Sequence, residues 1–368
     1  MRSTKRRGSG PGSPGCLGPL GRVVRMAALA ACLLVWAGPA GAVSLGAFSV
    51  LAYNVAGLPG GLSSSTPEVN NALISPLLNG FDLVAVQEDF GFHADLTSQL
   101  THPFQSVKDT TDTAILLGLL GSMPAPHLGD GLNRFSRTPF SGFQRVTWDR
   151  CFGILNNKSD CLAPKGFSVA RHRFSPGAFV DVYNLHADAG GEPPDQDARR
   201  AQLRQLADFI GTYSADRAVI VLGDTNSRYT RAGDILPELL AQTGLRDVWV
   251  DLARDGLVPD VGPKLDACVE DGLSGGDCER IDKIFYRSGG NVVLEPLGYQ
   301  VQNVLFIDDA DRPLSDHEPV SVHFEIGTVA VPEPAASVLV ALGVLGVAAN
   351  RRRVRRPVGA PTSAGGRA

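Results

Sequence analysis

Ala218-Val219-Ile220-Val221-Leu222-Gly223-Asp224-Thr225-Asn226-Ser227 is the stretch on which the reading of this chain turns. Its β-branched apolar run predicts a buried strand that Gly223 ends. On an extended segment Asp224 and Asn226, two residues apart, point the same way. One is a hard carboxylate and the other an amide that can donate to an oxyanion. Such a pair at the C-terminal end of a strand is one way to build a metal- or phosphate-handling site. The plainer alternative is an Asx-type turn closing a core strand.

Working outward, other predicted strands end in the same manner. Phe48–Tyr53 is followed by Asn54, and Asp82–Val86 runs into Gln87-Glu88. Phe179–Leu185 delivers His186, with Asn184 and Asp188 on either side. Arg280–Tyr286 carries Asp282, and Asp316-His317 precede a last strand, Val320–Ile326. Asn70–Leu78 predicts a helix interrupted by Pro76. Ala198–Ile210 predicts an amphipathic one, with Leu203, Leu206, Phe209 and Ile210 on one face. No linker, repeat or charge block divides the chain between residues 43 and 328, so one domain is expected there. Many strands with few long helices predict an α+β fold, two packed sheets with helices outside. Taken singly, Glu88 is an ordinary solvated carboxylate, His186 a structural histidine and His317 a loop residue. Their recurrence at strand ends points to one shared cleft.

Both ends of the chain read as addresses. Residues 1–25 are basic and rich in Gly and Pro, Met26–Trp36 is apolar, and Ala40-Gly41-Ala42 offers small residues for cleavage. This is the pattern of a secretory signal peptide over residues 1–42, with Met26 an alternative start. At the other end, Val331-Pro332-Glu333-Pro334 precedes an apolar run, Ala335–Ala349, and the cations Arg351, Arg352, Arg353, Arg355 and Arg356. Residues 331–356 resemble the PEP-CTERM sorting signal of Gram-negative bacteria, with residues 357–368 a disordered tail. The resemblance implies an exosortase as processing partner and a destination outside the cytoplasm, at the cell surface or matrix. A plain membrane anchor is the alternative reading of the apolar helix and its cationic stop.

Between those ends the balance is acidic. Of 34 Lys+Arg, 22 lie in residues 43–330, against 37 of the 38 Asp+Glu, which gives a net charge of −15. A general basic footprint for nucleic acid is excluded, while divalent cations are suited. Four cysteines remain, in close pairs: Cys151 with Cys161 and Cys268 with Cys278. In an oxidising compartment they read as two local disulfides, and the zinc alternative lacks C-x-x-C pairs and histidines at ligand spacing.

Seven motifs occur in order: Tyr-Asn-Val-Ala-Gly-Leu-Pro (53–59), Val-Gln-Glu-Asp-Phe (86–90), Gly-Asp-Gly-Leu-Asn-Arg-Phe-Ser (129–136), Asn-Leu-His-Ala-Asp (184–188), Gly-Asp-Thr-Asn (223–226), Ile-Asp-Lys-Ile (281–284) and Ser-Asp-His-Glu-Pro-Val (315–320). Together they resemble the endonuclease/exonuclease/phosphatase superfamily, whose DNase-like fold is a four-layer α/β/β/α sandwich. The resemblance implies hydrolysis of a phosphodiester by metal-assisted attack of water. Glu88 is then the principal Mg²⁺ ligand with Asn54 beside it, and Asp316 a further metal contact or a partner behind one. Mn²⁺ and Ca²⁺ accept the same oxygen ligands. His317 is implied as general base, oriented by Asp282, while Asp224 orients the water. Asn226 and His186 are implied as donors to the phosphoryl oxygens, with Asn184 and Asp188 at the substrate.

The segment Cys151–Phe167 resembles the region before the catalytic-histidine strand in neutral sphingomyelinases and related phospholipases C. Asp160 and Lys165 match an Asp and a Lys five apart, and Lys165 is implied to reach a lipid phosphate as a mobile charge. Ile115–Gly121 is either a buried strand, the favoured reading, or a lipid-facing loop. No long aromatic hairpin, the membrane-insertion device of secreted bacterial sphingomyelinases, is present. The leading expectation is a sphingomyelinase or phospholipase C type enzyme. The alternative is an extracellular DNase-type nuclease using Arg134, Arg137, Arg228 and Arg231 near the site. A non-catalytic matrix module and an inositol-phosphate phosphatase are disfavoured by the complete set of catalytic residues and by the lack of a basic pocket.

Overall fold

Alternation of side chains along the strands explains the architecture. In β1 (Ala42–Asn54), Val50 and Ala52 face one apolar cluster while Leu51 and Tyr53 face another. A strand buried on both faces needs a layer on each side. In this computed structural model, which describes residues 42–58, 66–120, 127–155, 157–262 and 278–329, those layers are a second sheet and a helix.

The first sheet runs β11-β12-β1-β2-β4-β3. Here β2 is Leu83–Gln87, β3 Phe104–Gln105, β4 Asn133–Ser136, β11 Val292–Val301 and β12 Val320–Val329. The second runs β5-β6-β7-β8-β10-β9, with β5 Phe140–Thr147, β6 Gly166–Ser175, β7 Ala178–His186, β8 Ala218–Asp224, β9 Arg246–Asp247 and β10 Asp282–Arg287. Their inner faces meet through Val50, Ala85, Val182, Ile220, Leu222 and Val322. Helix Pro67–Leu77 covers the outside of the first sheet through Ile74. Helices Pro193–Tyr213 and Leu236–Thr243 cover the second through Leu203, Leu206 and Leu239. The α+β class and the four-layer α/β/β/α order expected from the sequence are both present.

Two expectations of local structure are corrected. Pro76 does not interrupt its helix, which runs to Leu77; it lies in the last turn, where the bond it withholds from the Ala72 carbonyl is one of the last the helix would form. Ala114–Leu120 is a helix, neither buried strand nor loop. Thr113 Oγ1 accepts from the Leu116 amide at 3.1 Å, and Leu116 packs against Phe90, Leu128 and Ala163. Residues 1–41, the expected sorting segment 331–356 and the tail lie outside the described residues.

Polar groups also bind the two sheets together. Asn184 of β7 accepts from Gln87 of β2 at 2.7 Å and donates to Val86 and Asn133 carbonyls at 2.9 and 3.1 Å. Arg134 of β4 crosses to Val182 O and Ser168 Oγ, each at 2.9 Å. Burial, helped by Arg145, pushes its pKa down to about 9, which leaves it charged at neutral pH. Asn184→Ala strands the Gln87 amide and two carbonyls inside the sandwich. The expected loss is about 3 kcal/mol in urea unfolding, and a loss below about 1 kcal/mol would show that this network does not hold the sheets.

Candidate active site

At one end of the sandwich the inner face changes from apolar to polar without changing register. Val50 and Ala52 are followed by Asn54, Ala85 by Gln87, Val182 by Asn184 and His186, Leu222 by Asp224, and Ile284 is preceded by Asp282. Because side chains alternate, each of these polar groups points between the sheets. Pairing then sets them side by side: His186 opposite Asp224 across β7 and β8, and Asp224 opposite Asp282 across β8 and β10. Glu88 does not continue the strand pattern. It follows β2 in a left-handed conformation with φ +56°, and Gly57 makes room, since a Cβ there would lie 2.5 Å from the Glu88 carbonyl.

These groups share hydrogen bonds across both sheets. Asn54 Nδ2 donates to Glu88 Oε1 at 3.1 Å and to Asp224 Oδ2 at 3.3 Å, and stands 3.4 Å from His317 Nε2. The Asn54 oxygen faces away and accepts from the Ala56 amide. His317 Nδ1 pairs with Asp282 Oδ2 at 2.8 Å. Ser315 fixes the histidine loop, donating to Asn54 O at 2.7 Å and accepting from the His317 amide at 3.2 Å. Burial disfavours the charged imidazole of His317, but Asp282 and Asp224 outweigh it and hold its pKa well above the usual value. Asp224 is raised by burial and then by Asp282. Asp316 is exposed beside this histidine, and its charge also acts on it.

Lys165 reaches the same place from the segment between β5 and β6. Its Nζ lies 2.5 Å from Asp160 Oδ1 and 3.1 Å from His186 Nε2. It is not the mobile charge expected but a largely buried one, pinned by Asp160. Burial lowers its pKa, yet Asp160 and Glu88 more than compensate, and the ammonium stays charged. An ammonium only donates, so His186 Nε2 accepts, and the ring is neutral. Burial, Lys165 and His317 all press its pKa well down. In this state His186 Nε2 accepts and does not donate. The expected Cys151–Cys161 disulfide is present and closes the segment that carries Asp160. Cys278 is disulfide-bonded, and its expected partner Cys268 lies outside the described residues.

Other expected positions are placed differently. Asn226 is not extended: it has φ +48°, its amide donates to Asp224 Oδ1 at 2.9 Å, and its Nδ2 donates to Ala187 O. The Asx turn is therefore the local geometry, and the Asp224 and Asn226 side chains do not run parallel. Asn184 is fully buried with its amide spent between the sheets, so it does not meet substrate. Asp188 is also fully buried, accepting from Phe152 N and Gln202 Nε2 at 2.7 and 2.6 Å. It anchors the disulfide segment and does not line the cleft. Arg134 is an inter-sheet tie, and Arg137 pairs with Asp82 at 3.6 Å near the opposite strand ends. Arg231 bonds Asp234 and the Asn226 carbonyl.

One device escaped the sequence reading. Arg199, on helix Pro193–Tyr213, donates to Asp188 O at 2.8 Å and Gly190 O at 3.0 Å. The same guanidinium meets Asp234 Oδ1 at 3.0 Å, and Asp234 Oδ2 accepts from Arg228 N at 2.8 Å. A buried ion pair thus joins the segments that follow His186 and Asp224. No spacing rule finds it, because its partners are 35 residues apart.

The donor set suits a hard divalent cation. Ligand atoms of Asp224, Asp282 and His317 lie within 4.8 Å of one another. Asp282 Oδ1 is buried with no hydrogen-bond partner, and Glu88 opens to solvent beside them. Concentrated carboxylate oxygen is what Mg²⁺ and Ca²⁺ select.

The PEP-CTERM protein-sorting motif matches residues 330–353. A sphingomyelinase of Mycobacterium bovis is 36% identical over 295 residues, 78% of this chain and 54% of the relative, and one from Mycobacterium tuberculosis gives the same figures. The chain spans about half the length of these relatives. Staphylococcus aureus beta toxin, in a crystal structure with bound magnesium ions, matches with TM-score 0.51 at 18% identity, over 75% of this chain and 99% of that one. Sphingomyelinase C of Streptomyces griseocarneus matches with TM-score 0.51 at 19% identity, over 77% and 99%. These two structures show that the DNase-like fold is shared.

Two outcomes are expected here. Asp188 has its pKa raised to about 6 by burial and by Asp160. Its folded value lies above the unfolded one, so its contribution to stability is largest below about pH 4 and is lost as pH rises through 6. Asp188→Asn should flatten that part of the stability-against-pH curve in urea unfolding. Asp234→Asn leaves Arg199 buried without its carboxylate and should destabilise by about 3–5 kcal/mol, read by the same method.

Proposed function

We propose that this chain, a homologue of the mycobacterial sphingomyelinases, is an exported metal-dependent phosphodiesterase that hydrolyses sphingomyelin or a related choline phospholipid. The observation that carries the reading is the His317–Asp282 pair, 2.8 Å apart, facing the carboxylates of Glu88 and Asp224 across one strand end. That arrangement places a proton acceptor, its orienting carboxylate and an oxygen-rich cradle around one point, as hydrolysis by water requires.

His317 is proposed to take the proton of the attacking water through Nε2 in its neutral form, which a cation held by the same carboxylates would favour, with Asp282 holding the other ring nitrogen as N–H. Asp224 and the Asn54 amide orient that water. Lys165, charged and fixed by Asp160, donates to a phosphoryl oxygen, and His186 keeps the ammonium aimed. Glu88, Asp224 and the free oxygen of Asp282 would hold a divalent cation; Mg²⁺ is the proposed ion, by analogy with the beta toxin. When bound, it supplies positive charge to the phosphoryl and leaving oxygens.

Export is part of the proposal. Residues 1–42, with the apolar run Met26–Trp36, serve as signal peptide, and the motif at 330–353 directs exosortase handling outside the cytoplasm of a Gram-negative bacterium, with the apolar run Ala335–Ala349 entering the membrane during processing. The nuclease alternative is weakened by Arg134 and Arg137, which are spent on protein contacts.

Vesicles containing sphingomyelin and a plasmid, offered in parallel to the Mg²⁺-loaded chain, test the reading. Phosphocholine release is expected, abolished by EDTA and lowered about 10³-fold in His317→Ala. Plasmid nicking with silent vesicles would move the chain to the nuclease alternative.

A further inference from the structure

The His317–Asp282 pair joins the two sheets. Asp282 opens β10 of the second sheet, and His317 lies in the segment 302–319 that leads from β11 into β12 of the first. A second contact crosses the same gap. Arg280, two residues before Asp282, places its Nε 2.6 Å from Oε2 of Glu318, the residue after His317. The two side chains are 4% and 17% exposed, so the charges meet largely out of water. The other oxygen of Glu318 accepts from Asn303 Nδ2 at 3.4 Å, near the start of the histidine segment.

The two ends of this contact are anchored differently. On the Arg280 side, Glu279 is fully buried and accepts from the Tyr229 amide at 2.5 Å and from Thr230 Oγ1 at 2.7 Å. The Ile281 carbonyl accepts from the Thr225 amide and hydroxyl at 3.1 and 2.7 Å. Arg280 therefore rises from a base tied to the segment that follows Asp224. On the other side, Ser315 holds the chain before His317. After the histidine comes Pro319, which has no N–H to give. Its carbonyl accepts from the Gln302 amide at 2.9 Å, a tie on the side of the first sheet. The tie to the second sheet, beside the His317–Asp282 bond itself, runs through the Glu318 carboxylate.

Arg280 is too deeply buried to meet substrate. Stability is a poor account of the pair, since desolvating two charges offsets much of their attraction. What a guanidinium and a carboxylate fix is direction, because the planar donor accepts few orientations of its partner. A base that takes a proton from a bound water needs that precision: about 1 Å of misplacement costs about 10²-fold in rate. One hydrogen bond at Nδ1 fixes a point on the His317 ring, and the backbone behind it sets where Nε2 lies. We infer that Arg280 and Glu318 are positioning residues, whose ion pair sets the His317 backbone against β10 so that Nε2 meets the water while Nδ1 stays on Asp282. The inference rests on the phosphodiesterase reading, in which His317 is the base, and adds to it a pair that touches no reacting atom.

Two readouts test this role, one of them without turnover. In the full chain labelled with ¹⁵N-histidine, the ring N–H that His317 gives to Asp282 should resonate far downfield, assigned by its loss in His317→Ala. In Glu318→Gln that signal should broaden or vanish as the proton exchanges with water. On sphingomyelin in detergent micelles, the same variant should lose about 10²-fold in kcat with KM changed by less than about twofold. Arg280→Gln should match it, and the double variant should lose no more than either alone, because the pair acts as a unit. Glu318→Asp, which keeps the charge and serves where Glu318→Gln does not fold, should lose only about tenfold. Arg204→Gln, which breaks the exposed pair with Glu238, should leave both readouts unchanged. An unaltered resonance in Glu318→Gln, a raised KM with kcat kept, or losses that multiply in the double variant would overturn the inference. A resonance that depends on Glu318 in a chain that hydrolyses no phosphodiester would uphold the positioning pair and remove the phosphodiesterase reading.

Discussion

Asp224 and Asp282 stand opposite one another on neighbouring antiparallel strands, both buried. Two like charges at such a position repel, and burial adds a desolvation cost to each. The surroundings of the site answer that repulsion. The His317 ring meets Asp282, Asn54 donates to Asp224, and the turn at Asn226 supplies a backbone amide to its second oxygen. The histidine is held charged by the carboxylates it compensates, which is why its pKa rises although it is buried. A divalent cation bound among these oxygens would do the same work.

The framework keeps those groups in place by fixing chain segments that would otherwise move. Asn184 and Gln87 bind the two sheets directly beneath the site. Arg199 and Asp234 join the segments beyond His186 and Asp224, and the Cys151–Cys161 bridge closes the segment that carries Asp160 toward Lys165. All of these ties lie at the end where the strands stop and backbone pairing no longer constrains the chain. Conformational entropy would otherwise spread the reacting groups over many arrangements.

Much of this was legible in the sequence because it depends on period and punctuation. The run Ala218–Leu222 had to be a buried strand, and the polar residues closing it and its neighbours marked one shared end. Strands β3, β4, β5, β6, β9 and β11 were not legible, since their pairing is set by partners in other segments of the chain. Ile115–Leu120 misled because an apolar run has no period; the capping hydroxyl of Thr113 and one face packed on Phe90 made it a helix.

The residue types of the site, the acidic balance of the domain and the sorting motif at residues 330–353 were determined by the sequence alone, since composition and local order carry them. Which of those residues face the cleft was decided only by the tertiary structure. Strand register placed His186, Asp224 and Asp282 abreast, whereas Asn184, two residues before His186 on the same face, lay deep enough for the opposite sheet to take up its amide. Lys165 changed from a free charge to a buried one for the same reason. A side chain's partners come from segments distant in sequence, and those are known only once the sheets have packed.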